Sequence, residues 1–397
     1  MKLFAKKSLD LYILTALAKG FPVFCSVLLP VLYAQQLIDA KALGYIGALF
    51  IVFTIIGAIV VAKRLHNLDT RQLLQLAALG AIGASSLLFI AMTNQDIPLL
   101  TLAYAIMGIA VGAALSGVNA MSAHATTRGN RFKVIARLSM VADVVRIVFS
   151  LIVAGLVLIG ASWAAVLLIV VSGFVFLFYA SRQEAIKPQN SVKASFKGMR
   201  HNTPFKFILL LEFLDSFSSS QLFVFLPLLF MAKGYSLENS ILLQAFTFLG
   251  YMNGRWLVSI FAQRSSGLRA VGLAEAGLVI SIVLLLVAEP LWALYVLTFA
   301  LGIFARGTSP PIKSLAFDAL DDSQIKQGSA LHVIVGDGGS ALGQLAFGLL
   351  VALYGAKMPF IVAGCIAAAI VVLCLSRISR VFMSTARQNA IAVSQQS

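Results

Sequence analysis

The chain has 397 residues, of which 60% are hydrophobic and only 11% are charged, with a mean hydropathy of +0.95. A water-soluble core of this size could not hide so much apolar surface, so a soluble globular protein is excluded and an all-α polytopic membrane protein is expected. The formal net charge of +15 raises the question of a nucleic-acid partner, which the placement of the charges answers.

A helix needs about 20 apolar residues to cross the hydrocarbon of a bilayer. Runs of that length recur twelve times, at residues 9–33, 41–62, 72–93, 97–123, 132–159, 161–180, 205–231, 237–262, 268–288, 290–313, 328–354 and 356–376. The first follows Lys2, Lys6 and Lys7 but is longer than a signal peptide's apolar region and shows no small-residue cleavage site, so it is expected to stay. With the N-terminus inside, 23 of the 30 Lys and Arg fall in cytoplasmic segments. Only Lys41, Lys233 and Lys357 fall outside, and Lys19, Arg146, Arg255 and Arg306 lie at membrane depth. This asymmetry predicts both termini in the cytoplasm of a multi-pass protein of the cell inner membrane. It spends the positive charge on anionic membrane lipid rather than on nucleic acid. Cys25, Cys365 and Cys374 all fall within spans, so neither a disulfide framework nor a metal site is expected.

One polar, basic segment, residues 181–204, interrupts the apolar rhythm and reads as a cytoplasmic linker. It predicts a six-helix bundle over 1–180, a second over 205–376 and a cytoplasmic tail over 377–397. The halves also repeat. Gly108-Ile109 and Gly302-Ile303 are 194 apart, as are Asp143 and Asp337; FTIIG at 53–57 returns as FTFLG at 246–250, and LLP at 28–30 as FLP at 225–227. Matches in the same order at nearly one offset point to two pseudo-symmetric bundles.

Twelve spans, a central basic loop and related halves resemble the major facilitator superfamily of secondary transporters over roughly residues 9–376. The family's Gly-x-x-x-Asp-Arg-x-Gly-Arg loop is altered here. AKRLHNLDTRQ has Lys63 before Arg64 where Asp is expected, and AQRSSGLR keeps Arg264, Gly267 and Arg269 but has Gln263 in the Asp position. Residues 338–360 look like span eleven of family exporters, whereas span five lacks the Gly-Pro signature of antiporters. Among bacterial members, drug and carboxylate-siderophore exporters are the nearest resemblance. That likeness implies alternating access around a central site between the halves.

Charge inside lipid costs several kcal/mol unless it is paired or faces a cavity, so the charges at depth are the candidate site. Span five carries Asp143 and Arg146 three residues apart on one helix face, with Arg137 near its cytoplasmic start, placed to snorkel. Lys19 stands in LAKGFP, where Gly20 and Pro22 are expected to bend the helix. Span seven holds Glu212 and Asp215, then Ser216, Ser218, Ser219, Ser220, Gln221 and Pro227, and reads as breakable. Arg255 lies in GYMNGRW, Arg306 just before Pro310 and Pro311, and Asp337 in VGDGGS, where glycines permit close helix approach. Asp143, Asp337, Asp215 and Glu212 are the expected proton-coupling residues. Lys19, Arg146, Arg306, Arg255, Tyr104, Asn119 and Asn253 are the expected substrate contacts, with Lys19 and Arg306 meeting in one cavity. Glu275 sits close to the inner end of span nine and is left outside both sets.

No nucleotide-binding Gly-rich loop followed by Gly-Lys-Ser/Thr occurs, so no nucleotide or other cofactor is expected. His66, His124, His201 and His332 fall in separate segments read as cytoplasmic, which argues against an embedded enzyme. The sequence therefore predicts a proton-coupled secondary transporter, a monomer, exporting a small organic anion or zwitterion. An uptake symporter would show nearly the same features.

Overall fold

In the computed structural model the chain is described over residues 2–63, 68–124, 131–185, 202–264, 266–320 and 325–376. Thirteen α-helices occur among these residues: α1 (Lys2–Ala34), α2 (Ala40–Lys63), α3 (Thr70–Asn94), α4 (Ile97–His124), α5 (Arg131–Leu158), α6 (Ala164–Ser181), α7 (Thr203–Ala232), α8 (Leu237–Arg264), α9 (Gly267–Val287), α10 (Leu291–Gly307), α11 (Ser309–Asp318), α12 (Ile325–Tyr354) and α13 (Met358–Leu375). Eleven segments are long and apolar enough to cross a membrane, α10 and α11 counting together as one. The remaining helix, α8, has the length, but Asn239, Gln244, Asn253 and Arg255 lower its hydropathy. The fold is all-helical, as the apolar runs predict. Residues 64–67, most of the linker (186–201) and the tail (377–397) lie outside the described residues.

Tight connections follow every odd-numbered span, and their chemistry is local. Gln36, Gln95, Gly160, Gly234 and Gly355 take positive φ. At four of these turns the next amide bonds back around the helix end, Leu37 to Leu32, Asp96 to Ala91, Ala161 to Leu156 and Tyr235 to Phe230. These closures satisfy carbonyls that the helix leaves open. At the other end, Asp69 opens α3 with a capping box shared with Gln72, and Ser266 opens α9 by accepting from the Arg269 amide. Both caps come from the two altered loops noted in the sequence.

Helix surfaces sort by burial rather than by polarity. Val171, Phe174, Val175 and Phe178 form an exposed apolar stripe on α6, as do Ile280, Val283, Leu284 and Val287 on α9. Such faces suit lipid. A core of Phe205, Ile208, Leu211, Leu268, Val271, Ile312, Leu315 and Ile370 joins α7, α9, α11 and α13.

The chain falls into two compact units, Met1–Ser191 with Leu226–Ala245 (unit 1) and Val192–Phe225 with Phe246–Ser397 (unit 2). A division at 181–204 would put residues 226–245 in the second half. That hairpin, closed by the Tyr235 amide on Phe230 and buried at Leu226, Leu229, Phe230, Ile241 and Leu243, groups with unit 1 instead.

Each unit has an equivalent helix pair that touches through backbone, and glycine makes this possible. In unit 1, a Cβ on Gly57 would come within 2.5 Å of the Ile109 carbonyl oxygen, and one on Gly108 within 2.5 Å of that of Phe50, which packs α2 on α4. In unit 2, Gly250 faces the Phe299 carbonyl, Gly254 that of Ile303 and Gly302 that of Thr247, which packs α8 on α10. The repeated FTIIG/FTFLG and Gly-Ile motifs are thus the contact surfaces of equivalent helix pairs.

Candidate functional site

In unit 1 the charges gather where α1 meets α5. Gly20 lets Val145 approach, its Cβ position lying 3.1 Å from Val145 Cγ1. One turn on, the Phe24 and Phe149 rings stack with centroids 3.8 Å apart. Contacts that advance together along both chains mean that α1 and α5 run in the same direction. Lys19 is therefore level with the Asp143–Arg146 pair. Arg146 Nη1 donates to Asp143 Oδ1 at 3.0 Å, with the Asp143 side chain 1% exposed and that of Arg146 22%. The expected i, i+3 pair is present, and it points away from lipid at its acidic end. Lys19 itself is half-buried. α1 stays one continuous helix through Gly20, Pro22 and Pro30, so the bend expected beside Lys19 does not interrupt it.

In unit 2 the polar groups converge from four elements. α7 is also unbroken. The interruption falls instead at Thr308, between α10 and α11, where Pro310 and Pro311 lack the amide hydrogens that would bond the carbonyls four residues back, those of Arg306 and Gly307. At this joint Thr308 Oγ1 donates to Asp215 Oδ1 at 3.2 Å, and Ser219 Oγ donates to the same oxygen at 3.0 Å. One turn earlier on α7, Ser216 Oγ donates to Glu212 Oε1 at 3.4 Å, and His332 Nε2 of α12 lies 3.3 Å from Glu212 Oε2. Glycines bring α12 this close. A Cβ on Gly336 would meet Glu212 Oε1 at 2.7 Å, and one on Gly339 would meet the Phe213 carbonyl oxygen at 2.6 Å. The Arg306 guanidinium acts on Glu212, Asp215 and Asp337 together. Glu275 of α9 is 0% exposed and within hydrogen-bonding range of Asp215.

Most of the acids singled out in the sequence, Glu212, Asp215 and Asp337, thus come together with Arg306. Three participants did not stand out beforehand. His332, which the apolar run 328–354 already contained, lies at the start of the candidate span Leu331–Tyr354 and is buried by neighbouring helices rather than set apart in a connecting segment. Glu275 joins from a helix with no other charge near it, and Thr308 from a bend whose only sequence signal was the Pro-Pro pair. The neutral candidates are occupied locally. Tyr104 Oη on α4 donates to the Cys25 carbonyl of α1 at 3.0 Å, and Asn253 Nδ2 to its own helix at Leu249 O, 2.9 Å away. Asn119 is exposed near the end of α4, and Arg255 half-buried on α8. The side chains of Arg137, Ser220, Gln221, Lys63, Arg64, Gln263 and Arg264 lie outside the described residues. Among the described residues no group of three or more His, Cys, Asp and Glu could hold a metal ion.

No curated protein sequence matches the chain. Solved structures with the same fold are transporters. The crystal structure of the nucleoside transporter NupG, in variant form, has a TM-score of 0.76 at 11% identity, covering 95% of this chain and 99% of that one. A bacterial homologue of the human lysosomal transporter Spinster gives 0.75 at 15%, covering 96% and 98%. The xylose transporter XylE from E. coli gives 0.73 at 13%, covering 94% and 95%. The family model of the Major Facilitator Superfamily matches residues 11–280, and the chain belongs to that superfamily.

Proposed function

We propose that the chain is a proton-coupled secondary transporter of the alternating-access kind, residing in the cell inner membrane with both termini cytoplasmic, and that it exports a small organic zwitterion. One observation carries this reading. Among the described residues unit 2 buries three carboxyls, Glu212, Asp215 and Glu275, and holds a fourth, Asp337, half-buried, around Arg306 and His332. An excess of negative charge inside a bundle is costly unless cations neutralise it, and protons are the cations that carboxyls take most directly. A substrate ammonium group competes with those protons for Glu212 and Asp337, while its acid group pairs with Arg306. Competition makes proton entry and substrate exit two halves of one cycle, which is antiport. The resemblance of residues 338–360 to span eleven of family exporters supports the same direction.

A second reading rests on unit 1. There Lys19 and Arg146 outnumber Asp143, which favours an organic anion. Protonating Asp143 frees the Arg146 guanidinium for the anion, so proton and anion bind together and move together, which is symport. A D-xylose–proton symporter of known structure shares the fold, with a TM-score of 0.72 at 16% identity over 93% of this chain and 97% of that one.

The two readings differ in the sign of one measurement. Proteoliposomes with an imposed pH gradient, screened over zwitterions, organic acids and amphipathic cations, should accumulate substrate on the acidic side under antiport. Accumulation on the alkaline side would replace export by symport, and transport indifferent to the gradient would remove proton coupling.

A further inference from the structure

We propose that Asp215 on α7 and Glu275 on α9 hold one proton between them, forming a single-proton site at the joint between α10 and α11. The inference deepens the proton-coupled reading by naming where one of the protons resides, on a residue that the substrate scheme above does not use.

Glu275 is the observation that demands a ligand. It is 0% exposed, and both of its carboxyl oxygens are buried with no hydrogen-bond donor. A buried carboxylate left without donors is among the costliest groups a protein can hold. The group it faces is another carboxyl, that of Asp215, within hydrogen-bonding range. Two ionised carboxylates at that distance in a dry interior repel, and neither can donate to the other. With one proton between them, an O–H donates across the gap and one negative charge remains. Asp215 is built to keep that charge, since the Ser219 and Thr308 hydroxyls both donate to its Oδ1 at 3.0 and 3.2 Å. The proton therefore rests on Glu275, and the charge on Asp215.

The surroundings leave no rival for the role. From α7, Glu212 lies one turn from Asp215; from α10, Arg306 acts on Asp215; from α12, Asp337 and His332 face Arg306 and Glu212. From α11, the nearest cation is Lys313, which stacks over Phe317 and acts on His332. From α13, the Cys374 thiol is the titratable neighbour of Glu275. Among the described residues no Lys or Arg is thus placed to neutralise Glu275 directly. A hard metal ion gathers about six or more oxygens, and Glu275 faces one carboxyl, which favours a proton. Because Thr308 occupies the break in span ten, loss of the proton puts two like charges beside the one hydroxyl that ties α7 to that joint. Occupancy of the site is in this way linked to the geometry of α10 and α11.

Counting protons tests the site without knowing the substrate. The purified full chain in detergent is titrated from neutral to alkaline pH in weak buffer, and released protons are read with an indicator dye, for wild type, Glu275→Gln, Asp215→Asn and the double variant. Size-exclusion elution confirms that each variant is folded. Wild type should release about one proton per chain more than each variant, and the double variant should lose no more than the singles, because the pair holds one proton and not two. Infrared difference spectra should show a protonated-carboxyl band in wild type that Glu275→Gln removes; should that variant fail to fold, Glu275→Asp, which keeps a carboxyl, should shift the band, and a band unmoved by it would overturn the proposal. Equal proton release in wild type and Glu275→Gln, or loss of the band on adding sodium, would overturn the proposal. If the missing proton is found but no pH gradient drives transport, the site stands and the coupling role falls. If transport is gradient-driven but the count is unchanged, the reverse holds.

Discussion

The two units bury charge in opposite ways. Unit 1 places Asp143 and its neutralising Arg146 three residues apart on one helix, 3.0 Å from nitrogen to oxygen. Unit 2, at the position 194 residues later, has Asp337 with no cation on its own turn. Its neutralisation comes from Arg306 on another helix, a cation shared with Glu212 and Asp215. A partner on the same helix is present whatever the neighbouring helices do. A partner shared across helices holds only while those helices keep their places. The first arrangement makes a permanent pair, and the second makes a charge balance that depends on conformation and on bound protons.

Beneath that difference lies a shared scaffold, and breaking it should have the largest effect. Gly302 sits with its Cα against Gly250 and the Thr247 carbonyl, and Gly108 sits equivalently against Phe50 and Thr54. A side chain at either position meets backbone, which cannot swing aside. Overpacking costs about 1–3 kcal/mol when side chains can yield, and more is expected here. Gly302→Val and Gly108→Val should each abolish recovery of monodisperse protein. Gly83→Ala, where a Cβ meets nothing within 4 Å, should leave yield intact and raise the melting temperature through helix propensity. Recovery of stable Gly302→Val protein would show that the repeat is not a packing device.

Next in size is the unit 1 pair. Asp143→Ala leaves a guanidinium without its carboxylate, and removing one partner of a buried pair typically costs about 3–5 kcal/mol. The thermal stability of Asp143→Ala should fall sharply, and Asp143→Ala combined with Arg146→Met should recover most of it. In unit 2, Asp337→Asn should cost less, because Arg306 retains Glu212 and Asp215. Equal losses at both positions would mean that the units do not differ in the way they neutralise charge.

What could be read beforehand follows the same divide. The Asp143–Arg146 pair, the twin Gly-Ile motifs and the linker were legible because each lies within one helix or repeats along the chain. The cluster of Glu212, Asp215 and Asp337 was legible only as separate acids at depth. Their meeting with Glu275, His332 and Thr308 depends on which helices adjoin, and spacing along one helix says nothing of that. Pro22 suggested a bend in α1 and Pro227 a breakable α7; neither proline interrupts its helix, while two successive prolines did interrupt span ten. One missing amide bond can be absorbed in a packed bundle; two adjacent ones are harder to absorb.

The smallest expected effect concerns the polar residues that the sequence offered as substrate contacts. Tyr104 is 1% exposed, and its hydroxyl donates to the Cys25 carbonyl on α1. Its ring packs edge-on against Phe50, with centroids 6.4 Å apart. Tyr104→Phe keeps the ring and removes one hydrogen bond, so stability should fall by about 1 kcal/mol, measured as a small drop in melting temperature. The KM for an identified substrate should be unchanged, because a hydroxyl tied to the backbone between α1 and α4 has no donor left for a ligand. A rise in KM without loss of stability would return Tyr104 to the binding site and require that the α1–α4 contact opens during transport. Asn253→Ala gives the matching measurement in unit 2. There the lost bond runs to Leu249 O within the same helix, so its removal should cost less than that of Tyr104, and a larger cost would mean that the Asn253 side chain holds another helix as well as its own.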